Sequence, residues 1–225
     1  MTNIGMIVAV EIQAVLNKYA DCIEEIEISN YKVKKYSAEK YNLFILHCGA
    51  GEIAAAAGTQ FLITQFSVDL IVNFGVVGGL TAEMSTAKTC IVESVVHYDF
   101  DTSSIDHCEV ARYLSYPSIY IPTSATLLKL ANEICPTLKN VICASGDKFI
   151  SSQAKKQYLH EQFGADICEM EAAGIVLTCN KNNTPCLLIK SISDSITGGA
   201  TEFEKEVDRS AEICLDITDK IINSL

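Results

Sequence analysis

Arginine is nearly absent: Arg112 and Arg209 are the two in 225 residues, and they stand far apart. With 17 Lys and Arg against 28 Asp and Glu, the formal net charge is −11. Phosphate backbones are held by clustered Lys and Arg, so this balance argues against a nucleic-acid partner. The single basic cluster, Lys32 to Lys40 in YKVKKYSAEK, reads as the solvated face of a strand. Long apolar runs are missing as well. No segment approaches the roughly 20 residues of a membrane-spanning helix. No basic region precedes the first apolar run and Glu11 interrupts it early, so neither a membrane partner nor a secretory signal is expected. No Pro/Gly/Ser-rich linker divides the chain, which reads as one domain over residues 1–225. The ten cysteines form no CxxC pair and stand singly in apolar runs, as small buried hydrophobes of a reducing compartment do. His47 and Cys48 are neighbours, as are His107 and Cys108, but adjacent strand residues point to opposite faces, so no metal site is expected. A cytoplasmic protein follows.

What is present is a regular alternation of strand and helix patterns. Ile4 to Val10 is a continuous apolar run, as in a strand buried on both faces, and a helical segment from Glu11 to Tyr19 follows it. Ile26, Ile28, Tyr31, Val33 and Tyr36 alternate with polar residues, which predicts a hairpin or meander. Further strands are expected over Asn42–His47, Leu70–Gly75, Thr89–Val96, Asn140–Ala144, Ala165–Cys168 and Cys186–Ile192. Helices are expected over Glu52–Phe66, from Leu127 to a stop at Pro136, near Gln153–Phe163, from Met170 onward, and through the closing segment Phe203 to Ile221. Such alternation indicates an α/β fold with a largely parallel or mixed sheet, whose ligands bind at the carboxyl ends of the strands. Four stretches read as turns at those ends: CGAGE, NFGVVGG, SGDKFI and ISDS. Glycines there let backbone N–H groups approach an anion or a sugar, although they also serve any tight strand-to-helix junction.

The chemistry centres on Ile167-Cys168-Glu169-Met170-Glu171-Ala172-Ala173-Gly174. Met170, Ala173, Gly174 and Leu177 recur at helical spacing, which puts Glu169 and Glu171 in or just before a first turn. The helix dipole stabilises carboxylates there, and a carboxylate beside a pocket can accept hydrogen bonds from a diol or face a developing cation. Acids also simply begin helices. The G-x-G of GAGE lacks the third glycine and the later acid of a dinucleotide fingerprint, and neither GxxxxGK[ST] nor GxSxG occurs. No cofactor is expected.

Taken as a set and in order, Ile4 to Glu11, HCGAGEIAAAAGTQ, IVNFGVVGGL, SGDKFI, CEMEAAG and SISD resemble the nucleoside phosphorylase and nucleosidase superfamily over nearly the full length. The chain looks most like the methylthioadenosine/S-adenosylhomocysteine nucleosidase branch. The resemblance implies a three-layer α/β/α fold with a central twisted mixed β-sheet and a homodimer. It also implies a small-molecule substrate, an adenine nucleoside whose N-ribosidic bond is cleaved by water. Carried over residue by residue, it gives Asp194 the task of protonating or hydrogen-bonding N7 of the leaving purine. It has Glu171 bind the ribose hydroxyls, Met170 pack beneath the sugar, Phe149 stack on the base and the backbone of Ile150 read the base edge. Glu169 has a supporting role, and Ser193 joins the substrate-binding set beside Asp194.

The sequence departs from the family pattern at three positions. The family's water-activating glutamate aligns with Gln13, while Glu11 lies two residues earlier. Gln is no general base, so either Glu11 takes over or Gln13 merely orients the water. Val76 stands where the family turn carries a serine, and Lys190 where it carries an arginine. The purine side, with Phe149, Ile150 and Asp194, is unaltered. Cleaving purine from ribose builds positive charge on the sugar and negative charge on the base, so the site needs an anion near one and a proton donor near the other. Glu171 and Asp194 supply that division, and desolvation after Leu187-Leu188-Ile189 would help Asp194 keep its proton. A phosphorylase of the same fold, which needs a cationic phosphate site, and a catalytically weak nucleoside-binding protein are the alternatives.

Overall fold

A computed structural model describes residues 1–19 and 24–225. Strand β1 (Thr2–Val8) lies between β4 (Tyr41–His47) and β5 (Leu70–Gly79), parallel to both. Its side chains alternate between two cores, which is why the sequence there is apolar without interruption. Ile4, Met6 and Val8 join the core under α1 (Ile12–Tyr19), α4 (Ala125–Ile134) and α7 (Ala200–Ile222). Ile7 joins the opposite core, under α2 (Glu52–Phe66) and α6 (Ala172–Lys181). The sheet is thereby covered on both faces, giving the three-layer α/β/α fold that the family resemblance implies.

The sheet is mixed. Beyond β4, the antiparallel strands β3 (Tyr31–Ser37) and β2 (Glu24–Ile28) form an outer hairpin on which Lys34 pairs with Glu25 at 2.9 Å. On the other side, β5 pairs in parallel with β10 (Cys186–Asp194), which pairs antiparallel with β6 (Thr89–His97). Strand β6 runs parallel to β8 (Lys139–Ser145), β8 runs parallel to β9 (Ile167–Glu169), and β9 returns antiparallel to the end of β5. These five strands close into a ring. A third apolar cluster joins Val96, Ala144 and Cys168 of the ring to Leu159 and Phe163 of α5 (Gln153–Phe163). Two small elements, α3 (Ser103–Asp106) and β7 (Ile121–Pro122), lie off this framework.

Two expected turns are strand instead. NFGVVGG does not leave the sheet at Gly75, since β5 continues to Gly79 and all ten of its residues are buried. The continuation is held by β10, paired from Ile71 to Gly78, and by β9, paired at Gly78 and Gly79. The glycines mark close approach rather than a turn: a Cβ on Gly79 would run into the Met84 carbonyl. Similarly, Ser193 and Asp194 of ISDS still belong to β10, with an irregularity between Ile192 and Asp194. CGAGE is a true turn, with Gly51 at φ 100° leading into α2. The nine described cysteines are free, seven of them buried; Cys22 lies outside the described residues. Among the described residues, no helix is long and apolar enough to cross a membrane.

Candidate active site

The carboxyl ends of β1, β5, β9 and β10 open on a cavity of about 730 Å³, counting its mouth. One wall is acidic. Glu11 follows the bend after β1 and is buried, with Oε1 accepting from the Val76 N–H at 2.8 Å and Oε2 from the Val10 N–H at 3.0 Å. Gly75 makes room for it, because a Cβ there would sit 2.8 Å from Glu11 Oε1. Gln13 does not share this cavity. One helical step into α1, it is exposed and donates to Asn17 Oδ1 at 2.9 Å. The residue that aligns with the family glutamate therefore lies outside the cavity that Glu11 lines.

Glu169 and Glu171 flank the start of α6 and take different partners. Glu169 ends β9 and caps the helix, its Oε2 accepting from the N–H groups of Glu171 at 3.0 Å and Ala172 at 2.8 Å. The same oxygen receives Lys190 Nζ at 3.2 Å. Glu171 makes no cap bond; its Oε1 accepts from the Gly51 N–H at 2.8 Å. Burial first, and then the charge of Glu169, push the Glu171 carboxyl up to about 7, against the opposing pull of Lys190 and the Gly51 N–H. Burial works against the Lys190 ammonium, but Glu169 and Glu171 outweigh it and hold the proton more firmly than on a free lysine. Three carboxylates thus share one buried cation.

The opposite wall holds Asp194 at the end of β10. Its Oδ1 lies 3.1 Å from Ser193 Oγ, which is also 3.2 Å from the Val77 carbonyl. Its Oδ2 lies 2.5 Å from Nζ of Lys156, and the side chains of this ion pair are 2% and 0% exposed, respectively. Lys156 escaped the sequence reading. A lysine inside the motif LysLysGlnTyrLeu looks like a solvated helix residue, but Lys156, Leu159 and Phe163 follow one another at i, i+3 and i+7, the buried phase of α5. That phase was its only signal.

Between the two walls the lining is apolar. Phe149, 46% exposed, and buried Ile150 follow β8, while Val76, Met170 and Cys168 contribute from the sheet side. Phe203 of α7 closes the edge, its ring 5.3 Å from that of Phe149 at 73°. The sequence reading placed Phe203 only on an amphipathic helix. The arrangement can hold a flat apolar ring between an anionic end and a carboxylate–ammonium pair, which is the charge separation that breaking a glycosidic bond requires.

Known proteins resemble this chain over its whole length. The chain is 28% identical to an aminodeoxyfutalosine nucleosidase of Helicobacter pylori over 232 residues, covering 100% of both. It is 30% identical over 201 residues to a 5'-methylthioadenosine/S-adenosylhomocysteine nucleosidase of Halalkalibacterium halodurans, covering 86% of each. The solved 5'-methylthioadenosine/S-adenosylhomocysteine nucleosidase of Helicobacter pylori with butyl-thio-DADMe-Immucillin-A superposes with a TM-score of 0.93 at 26% identity, covering 100% of this chain and 99% of that one. The pattern of the phosphorylase superfamily matches residues 3–223, and the chain belongs to that superfamily.

Proposed function

We propose that the protein hydrolyses the N-ribosidic bond of an adenine nucleoside of the methylthioadenosine/S-adenosylhomocysteine type, releasing free adenine and the sugar. The observation that carries this reading is the division of the cavity between the Glu11, Glu169 and Glu171 cluster and Asp194. The base lies against Phe149 with its edge at the Ile150 backbone and its N7 at Asp194. The ribose lies over Met170 and gives its hydroxyl hydrogens to Glu171. As the C1′–N9 bond breaks, Asp194 passes a proton to N7 and the carboxylates face the cationic sugar. Each Glu11 oxygen already accepts one backbone N–H and keeps a lone pair for a water. That water adds its hydroxide to C1′ and leaves its proton on Glu11. The Val76 N–H holds Glu11 and Lys190 holds Glu169.

Several observations weigh against phosphate as the nucleophile. Two N–H groups at the α2 entrance that could bind an anion are already given to carboxylates, Gly51 to Glu171 and Glu52 to Asp147 at 2.8 Å each. Lys190 is engaged by Glu169, while Arg112 and Arg209 face Glu109 and Glu206 away from the cavity lining. A phosphate entering the sugar side would meet three carboxylates. The active form is a homodimer: Ile53, Ile105 and Leu114 are apolar and exposed, Ile53 next in the chain to Glu52, which lies 2.9 Å from His97, and Leu114 next to Tyr113, which stacks on Phe100. The free thiols suit a cytoplasmic setting.

The test is release of adenine from methylthioadenosine, S-adenosylhomocysteine and aminodeoxyfutalosine, each with and without inorganic phosphate. The expected result is adenine and a reducing sugar at a rate that phosphate does not change, with the two thio-nucleosides preferred. A phosphate requirement with ribose 1-phosphate as product would overturn hydrolysis. Preference for the third substrate would overturn the substrate type alone.

A further inference from the structure

Lys156 has no part in the assignment above, yet its ammonium sits directly behind the proposed acid. Besides Asp194 Oδ2, Nζ lies 3.4 Å from the Asp194 carbonyl and 3.3 Å from that of Gly198, and it also donates to the carbonyl of Ser195. Asp194 is the carboxylate within ion-pair distance of it among the described residues. The lysine is 0% exposed and is not part of the cavity lining, so it reaches substrate only through the Asp194 carboxylate. A buried ammonium that merely balanced charge would be expected to be replaceable by any cation. One that is linked by a short hydrogen bond to the carboxylate facing the leaving group can also supply the proton.

We propose that Lys156 is the resting place of the proton that Asp194 delivers to the purine. This rests on the nucleosidase reading and on Asp194 as its acid. At rest the pair is ammonium and carboxylate, with one mobile proton on Nζ. As the C1′–N9 bond breaks, its electron pair goes to the base. The Lys156 proton moves to Asp194 Oδ2, and the carboxyl so formed passes that one proton on to N7, leaving a neutral amine, an ionised Asp194 and neutral adenine. Water gives its hydroxide to C1′ and its proton to Glu11. Return of that proton through solvent to Lys156 restores the enzyme, so nucleoside plus water yields base plus sugar with no net proton change. Lys156 acts through Asp194 and is a positioning residue that also holds the proton. By binding the Ser195 and Gly198 carbonyls it fixes the loop that leads to Phe203 on α7 as well.

The experiment compares Lys156→Met, Lys156→Arg, Lys156→Ala and Asp194→Asn for turnover and for adenine binding. Lys156→Met should lose about 100-fold or more in kcat with KM little changed, the lower end of a general-acid contribution. Arginine keeps the positive charge and the ion pair but does not give up its proton, so Lys156→Arg should fold, bind adenine and remain as slow as the methionine variant. Small primary amines should restore turnover to Lys156→Ala, with rates that follow the basicity of the amine. Near-normal turnover of Lys156→Arg, or rescue that is indifferent to amine basicity, would reduce Lys156 to a structural cation and overturn the proposal. Unchanged turnover of Lys156→Met would remove it from the chemistry. If Asp194→Asn itself kept normal turnover, the failure would lie in the underlying acid assignment.

Discussion

At the residue scale, the division of labour between Glu11 and Gln13 is decided by where each side chain points. Glu11 lies in the cavity on two backbone N–H groups, while Gln13 lies outside on Asn17. Glu11→Gln should therefore cost about 100-fold in turnover with the melting temperature little altered, whereas Gln13→Ala should leave both within about twofold, as an exposed substitution does. Steady-state kinetics alongside thermal unfolding checks both. Glu171 makes a prediction in pH. Burial and Glu169 push its carboxyl up to about 7, and the ionised form is the stronger acceptor for the ribose hydroxyls, so KM should rise as pH falls through about 7. The linkage has the opposite sense. Because the folded carboxyl holds its proton to higher pH than the unfolded one, its contribution to stability is full below the ordinary carboxylate range and is lost as pH rises through about 7. Glu171→Gln should thus bind substrate poorly and yet gain melting temperature over the wild type as pH increases from about 5 to about 8. A constant difference across that range would show that the carboxyl titrates elsewhere.

At the element scale, the site depends on β5 staying in the sheet past Gly75. There the strand runs between Glu11 and Lys190, and a Cβ on Gly75 would meet Glu11 Oε1 at 2.8 Å and Lys190 Nζ at 3.5 Å. Gly75→Ala is expected to cost about 1–3 kcal/mol, as overpacking of a filled interior does, and to displace Glu11, so that turnover falls more than adenine binding. Denaturant unfolding and a binding titration on the same variant separate the two effects. The start of α6 is under similar constraint: Glu169 spends its oxygens on the helix N–H groups and Lys190, which leaves Glu171 free to face the cavity.

At the scale of the whole molecule, the ring β5–β10–β6–β8–β9 brings four distant stretches of chain to one cavity, and the apolar residues outside it are the ones a second copy would cover. Ile53 is 82% exposed, Ile105 77% and Leu114 66%. Replacing Ile105 or Leu114 by Glu should shift the protein from dimer to monomer in light scattering, with the fold retained. A wild-type protein that is monomeric at assay concentration would exclude the dimer outright.

The sequence alone determined the alternation of elements and the run of motifs that resembles the family, since both are written in local periodicity. Helices Glu52–Phe66 and Gln153–Phe163 occupy the stretches in which the sequence places them. It also determined that Glu171 stands at the start of a helix and Asp194 after an apolar strand, because an acid beside an apolar run is visible without any tertiary contact. Short elements left no signal: α3 has four residues and β7 two, too few for a period to register. Only the tertiary structure decided that the glycines of NFGVVGG extend a strand, because the partners that hold them, β9 and β10, lie about 90 to 120 residues further along the chain. It alone showed that Glu11 lines the cavity and that Gln13 does not. And it alone set Lys156 against Asp194, two charges 38 residues apart whose pairing depends on α5 packing its lysine-bearing face inward.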